Sequence, residues 1–168
     1  MYGGGCKQEG LSTLPADLGE HLQTQGFRFF VRAPGMAADL QELELSPIVP
    51  SNIITAPVKT CDQFRQWVNI LAKVDEQTDA LRDGFYQMFE GLGFSPCGNS
   101  QLLLGLEDGR AVATSRLFFA GGVTGIWHVA SLPEARRKGY GAEMTLSVVQ
   151  VGCERGYCFG VLYATAAG

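Results

Sequence analysis

The residues with the clearest capacity for chemistry are six in a row, Arg136-Arg137-Lys138-Gly139-Tyr140-Gly141. Three cations stand beside two glycines, and a long apolar run follows them. An α-helix opens with four backbone N–H groups that have no intrahelical partner, and its dipole adds partial positive charge at that end. A basic, glycine-bearing turn leading into a helix is therefore fitted to hold a diphosphate on its amides, with Arg136, Arg137 and Lys138 adding charge-assisted contacts. As a bare pattern, R-x-x-G-x-G also describes tight turns with solvated charges, and short glycine motifs recur by chance. Its place between a strand pattern and an apolar helix pattern is what favours an anion cradle. His128 is a second candidate, because an imidazole neutral near pH 7 can take a proton from an incoming group. A single histidine beside Trp127 is nonetheless more often packed than catalytic.

The elements that must position these residues follow from periodicity. Leu14, Leu18 and Leu22 share one helical face before Gly26, and Phe27-Arg28-Phe29-Phe30-Val31-Arg32 reads as a strand ended by Pro34-Gly35. Pro47 and Pro50 mark a boundary, so residues 1–50 form an N-terminal appendage and residues 51–168 the main domain. That domain opens with a strand over 52–59, placed at a sheet edge because Pro57 cannot donate to a ladder. Thr60 and Gln63 fit a capping box. Phe64, Trp67, Val68 and Leu71 then form one helical stripe, and Leu81, Phe85, Met88, Phe89 and Leu92 form another. Residues 101–106 and 111–119 make a hairpin through Asp108-Gly109, and Gly121-Gly122 turns the chain into a third strand over 123–130. The helix from Tyr140 to Glu154 carries apolar residues nearly all round, which predicts deep burial, and Gly156 stops it. A last strand over 157–164 follows by a β-helix-β crossover and so runs parallel to the strand before it. The order is strand, two helices, three antiparallel strands, helix, strand: an α+β, or mixed α/β, domain around one twisted, mostly antiparallel sheet flanked by helices.

Composition excludes several classes. The 168 residues are 46% hydrophobic and 18% charged, in the range of an ordinary globular chain, with no apolar run long enough for a membrane span. A net charge of −4 argues against nucleic acid as the main partner. The N-terminus lacks a signal-peptide core, and five cysteines without C-x-x-C spacing read as free thiols, so a cytoplasmic protein without a metal is expected. No G-x-x-x-x-G-K-[ST], H-E-x-x-H or G-x-S-x-G motif occurs.

The segment from Trp127 to Gly141 resembles the acetyl-CoA motif of GNAT N-acetyltransferases, whose Q/R-x-x-G-x-G/A signature is met by Arg136, Gly139 and Gly141. The resemblance covers residues 52–168 and implies a GNAT-like acyl-CoA N-acyltransferase fold with a parallel strand pair at the cofactor site. It implies that Val129, Ala130 and Ser131 pair by backbone with the pantetheine arm, and that the amides from Arg137 to Ala142, Tyr140 among them, hold the pyrophosphate. It further implies acetyl transfer from acetyl-CoA to a primary amine of a small molecule or peptide by direct attack on the thioester. Residues 14–40 are similar to the tail of a degenerate first half in tandem members. Against the family pattern, the chain is expected to be truncated after its fifth strand, without the helix that carries the usual tyrosine acid. That leaves the last strand's edge uncovered and open to homodimer pairing, and it raises the alternative of a catalytically impaired acyl-CoA-binding or interaction module.

Overall fold

Among the described residues one six-stranded sheet organises the fold, in the spatial order β1-β6-β5-β4-β3-β2. The computed structural model describes residues 15–29, 33–43, 52–74, 79–92 and 99–164, without the side chains of residues 81 and 88–92. Two compact units are distinguished, Met1–Arg32 and Ala33–Gly168. The first holds a short helix, α1 (Leu18–Thr24), followed by Gly26 at φ +88. All of the sheet belongs to the second.

The strands are β1 (Gly35–Asp39), β2 (Ile53–Pro57), β3 (Ser100–Glu107), β4 (Arg110–Ala120), β5 (Val123–Ser131) and β6 (Phe159–Tyr163). β3 to β5 form an antiparallel meander and β5 pairs with β6 in parallel, as the turn signals and the crossover predict, and β2 joins β3 antiparallel. Asp108 and Gly109 both have positive φ, as do Gly121 and Gly122, which is the left-handed pair that tight hairpins require. β2 lies at an edge, where the missing N–H of Pro57 costs nothing.

Two expectations are corrected at the other edge. The strand read over 27–32 is not found: residues 27–29 carry no strand, residues 30–32 lie outside the described set, and the strand forms instead at Gly35–Asp39. β1 runs antiparallel to β6, with Gly35 opposite Tyr163 and Asp39 opposite Phe159. The edge of β6 is therefore covered within the chain, and the bare edge expected for homodimer pairing is absent. Counting β1, the strand ending at Tyr163 is the sixth of the described strands. The physical reason is that β6 supplies a ladder of unmet backbone groups, and small residues suit its approach: Ala38 sits opposite Gly160.

Helices cover both sheet faces. α2 (Cys61–Val74) begins in the expected capping box, with the Gln63 amide donating to Thr60 Oγ1 at 3.2 Å and the Thr60 amide donating to Gln63 Oε1 at 3.2 Å. It buries Phe64, Trp67, Val68, Ile70 and Leu71, and each fully buried apolar side chain of this size contributes about 1.5–3 kcal/mol. Trp67 is also tied down by its indole N–H, which donates to the Ser115 carbonyl at 3.2 Å. α3 (Asp79–Leu92) packs on α2, and of its expected stripe only Phe85 is among the described side chains. α4 (Tyr140–Glu154) lies on the opposite face and buries Tyr140, Met144, Val148, Val149 and Gly152. Burial all round is not found: Leu146 and Cys153 are half-buried and Ala142 is exposed, because one side of α4 faces a cleft and solvent. Gly105 and Gly152 let α4 approach closely, since a Cβ on Gly105 would stand 2.8 Å from Met144 Sδ and one on Gly152 3.2 Å from Thr124 Cβ. Among the described residues no helix is long and apolar enough to cross a membrane.

Candidate functional site

The parallel pairing of β5 with β6 stops at Ile126 opposite Leu162, although β5 continues to Ser131. Beyond that point the two strands part, and a cleft of about 750 Å³ opens between them and the start of α4. The cause of the parting lies in β5. Thr114 of β4 pairs with Ala130 and Arg116 with Trp127, so β5 carries one extra residue there, a β-bulge. His128 stands in it at φ +52. Thr114, wholly buried, donates its hydroxyl to the His128 carbonyl at 2.9 Å and so fixes the bulge.

On the α4 side the cleft is lined by Arg136, Arg137, Gly139, Gly141, Ala142 and Thr145. Leu132 leads into a 3-10 turn over Pro133–Ala135, whose buried Ala135 anchors it. Arg137 then takes φ +65 and Gly139 φ +80, with Lys138 between them. Such alternation of hand turns successive amides to one side. Gly139 is the N-cap of α4 and makes no side-chain cap bond, and among the described residues no acceptor takes the amides from Arg137 to Ala142. The first α4-linked bond is the Glu143 amide to the Gly139 carbonyl, at 3.1 Å. A Cβ on Gly141 would meet nothing within 4 Å. The turn thus presents unpaired donors to an open space, which is what an anionic group requires.

The three cations are not equivalent. Arg136 and Arg137 are exposed, and the Arg136 Nε donates to the Ser131 carbonyl at 3.5 Å. Lys138 turns away from the cleft lining to Glu107 at the end of β3, with Nζ 2.8 Å from Oε1. Tyr140 is buried, and its phenol donates to the same carboxylate oxygen. These two contacts hold the Glu107 carboxyl below its usual range, Lys138 first and Tyr140 second. Tyr140 is also among the residues that line the cleft.

Val129, Ala130 and Ser131 line the β5 wall, with Val129 exposed. The same wall carries His128, whose ring meets Trp67 edge-on at 5.5 Å and Phe85 at 6.5 Å. Burial, and after it the Arg116 guanidinium, lowers the imidazole from 6.5 to about 4. Its Nδ1 is buried without a partner among the described residues. His128 is therefore a neutral, desolvated imidazole at pH 7. Trp127 and Tyr163 also line the cleft, with ring centroids 5.7 Å apart. Sequence reasoning missed Glu107, Thr114 and Tyr163 as members or supports of the site. The acid before Asp108-Gly109 was the one legible sign of the first. Among the described residues no group of three His, Cys, Asp or Glu is placed to hold a metal.

Comparison with known proteins gives the geometry its context. The sequence profile of the acetyltransferase (GNAT) family matches residues 62–166. The fold is similar to a GCN5-related N-acetyltransferase from Kribbella flavida, 25% identical, with a TM-score of 0.63 over 89% of this chain and 54% of that one. It is similar too to a GCN5-related N-acetyltransferase from Sphaerobacter thermophilus, 18% identical, TM-score 0.63, over 92% of this chain and 50% of that one. A predicted acetyltransferase from Clostridium acetobutylicum, crystallised with acetyl-CoA, is 15% identical with a TM-score of 0.56 over 69% of this chain and 83% of that one. The chain spans about half the length of the first two. No curated protein matches it.

Proposed function

The chain belongs to the GNAT acetyltransferase family, and on that premise we propose that it binds acetyl-CoA in the cleft between β5, β6 and α4 and transfers the acetyl group to a primary amine of a small molecule or peptide. The observation that carries this reading is the unpaired amide row from Arg137 to Ala142 at the mouth of a cleft that β5 opens by its bulge. The amides and the α4 dipole hold the diphosphate, and Arg136 and Arg137 offset its charge. Val129 to Ser131 offer an unpaired strand edge to the amide-bearing arm of the cofactor, as a β-strand would be received. The acceptor nitrogen attacks the thioester carbonyl, the C–S bond breaks, and the thiolate leaves with a proton while the ammonium formed gives one up. His128 is the described group nearest in kind to a proton acceptor on this wall, and its neutrality at pH 7 leaves a lone pair free.

A second reading is favoured by the same residue. An imidazole held at about 4 is a weak base for an ammonium ion. The chain would then bind acyl-CoA without efficient turnover, as a binding or interaction module. Calorimetric titration with acetyl-CoA, together with thiol release measured over a panel of primary amines, separates the two. Binding with turnover supports the enzyme, binding alone supports the module, and no binding at millimolar cofactor removes both.

A further inference from the structure

We propose that Glu107 is a positioning residue for the diphosphate cradle: it holds the turn before α4 in shape through Lys138 and Tyr140. This rests on the reading of that turn as the cofactor's site. The turn asks for support, because Arg137, a non-glycine residue, is kept at φ +65, and such a conformation persists only when its surroundings over-determine it. Glu107 supplies that support from a fixed point. It is paired on both sides in the sheet, with Ile53 of β2 and Arg110 of β4. One of its carboxylate oxygens accepts from Lys138 Nζ at 2.8 Å and from the Tyr140 hydroxyl. Lys138 Nζ also stands 5.7 Å from the centroid of the Tyr140 ring. The three groups close on one another, and they grip the turn at the residue before Gly139 and the residue after it.

Electrostatics alone would argue against an acid here. A carboxylate near a diphosphate site repels the ligand, and by engaging Lys138 it withdraws one of three cations from the cleft. The arrangement makes sense where shape outweighs charge: Lys138 and Tyr140 act on the backbone between them, and the ligand meets amides. The two roles predict opposite signs for the removal of Glu107.

The test is calorimetric titration of the whole chain with coenzyme A at fixed ionic strength, for the wild type, Glu107→Ala, Glu107→Gln and Gly141→Glu, with melting temperatures of each free protein. Loss of the charge-assisted contacts should weaken binding about tenfold in Glu107→Ala. Glu107→Gln keeps an acceptor for the Tyr140 hydroxyl and should recover part of the loss. The Lys138–Glu107 pair is 47% and 27% exposed and contributes little to stability, but Glu107→Ala also strips the buried Tyr140 hydroxyl of its acceptor, so a modest fall in melting temperature accompanies the loss and the affinity is the deciding readout. A purely structural Glu107 would lower the melting temperature and leave the affinity of the folded protein as it was. Unchanged or tighter binding in Glu107→Ala, with the wild type binding and Gly141→Glu not, overturns the positioning role alone. Absence of binding by the wild type overturns the cradle itself, and this proposal with it.

Discussion

Lowering the pH from about 7 to about 4 should destabilise this protein through His128, and the size of the effect follows from where the ring sits. In the unfolded chain the imidazole takes up a proton as the pH falls through 6.5; in the folded chain burial and Arg116 keep it neutral until about 4. The stability gained by burying it neutral is whole above pH 6.5, falls across the window between the two values, and is fully lost below about 4. At about 1.4 kcal/mol for each tenfold change in proton affinity, the loss approaches roughly 3 kcal/mol. The carboxyl of Glu107, lowered by Lys138 and Tyr140, and that of Glu134, lowered by its own backbone amide and then by Lys73, also lose contacts in acid, so the informative quantity is a difference between two proteins. Asparagine is the suitable replacement, because it does not titrate and tolerates the left-handed backbone His128 adopts. Urea unfolding of wild type and His128→Asn at about pH 7 and about pH 4 should show the wild type losing about 3 kcal/mol more than the variant. Parallel losses in the two proteins would refute the account of His128 as a buried neutral ring.

Other expectations concern the cradle and the scaffold. Gly141→Glu places a carboxylate where a Cβ meets only open space, so coenzyme A binding should fall by about a hundredfold or more while the melting temperature holds; Gly139→Glu is the poorer probe because its φ of +80 adds strain. Gly105→Ala should cost about 1–3 kcal/mol by chemical denaturation, since the new methyl meets Met144 and Ile53 in a packed interface. Thr60→Ala removes the acceptor for the Gln63 amide and should cost about 1 kcal/mol, read in the same way.

What the sequence disclosed depended on how local the deciding interaction is. The Asp108-Gly109 hairpin, the Thr60–Gln63 box and the Gly139 start of α4 are each settled by a few adjacent residues, and each stands where its residues place it. β1 is not of that kind. Gly35-Met36-Ala37-Ala38-Asp39 has neither alternation nor β-branched residues, and it becomes a strand only because β6 offers it a ladder. Phe27 to Arg32 has the better propensity, yet residues 27–29 carry no strand. The site divides in the same way. The glycine spacing and its helix were legible, whereas the posture of Lys138 was not, because its partner Glu107 is remote in sequence. The bulge at His128 had no sequence signal at all, since it reflects an offset between β4 and β5 fixed by Thr114.

The pairing of β1 with β6 also orders events in time. Met36 faces Leu162, so a strand made early in synthesis must wait for one made late, and the contact spans most of the chain. Closing so long a loop costs chain entropy before the ladder returns any, and such non-local pairings are the slow ones in folding. Until that pairing forms, Gly35–Asp39 has no ladder to join and β6 keeps an open edge. The same pair, lying at the margin of the sheet with Met36 exposed, should be among the first to exchange its amide hydrogens, which makes the β1–β6 seam the natural place for the native sheet to begin to open.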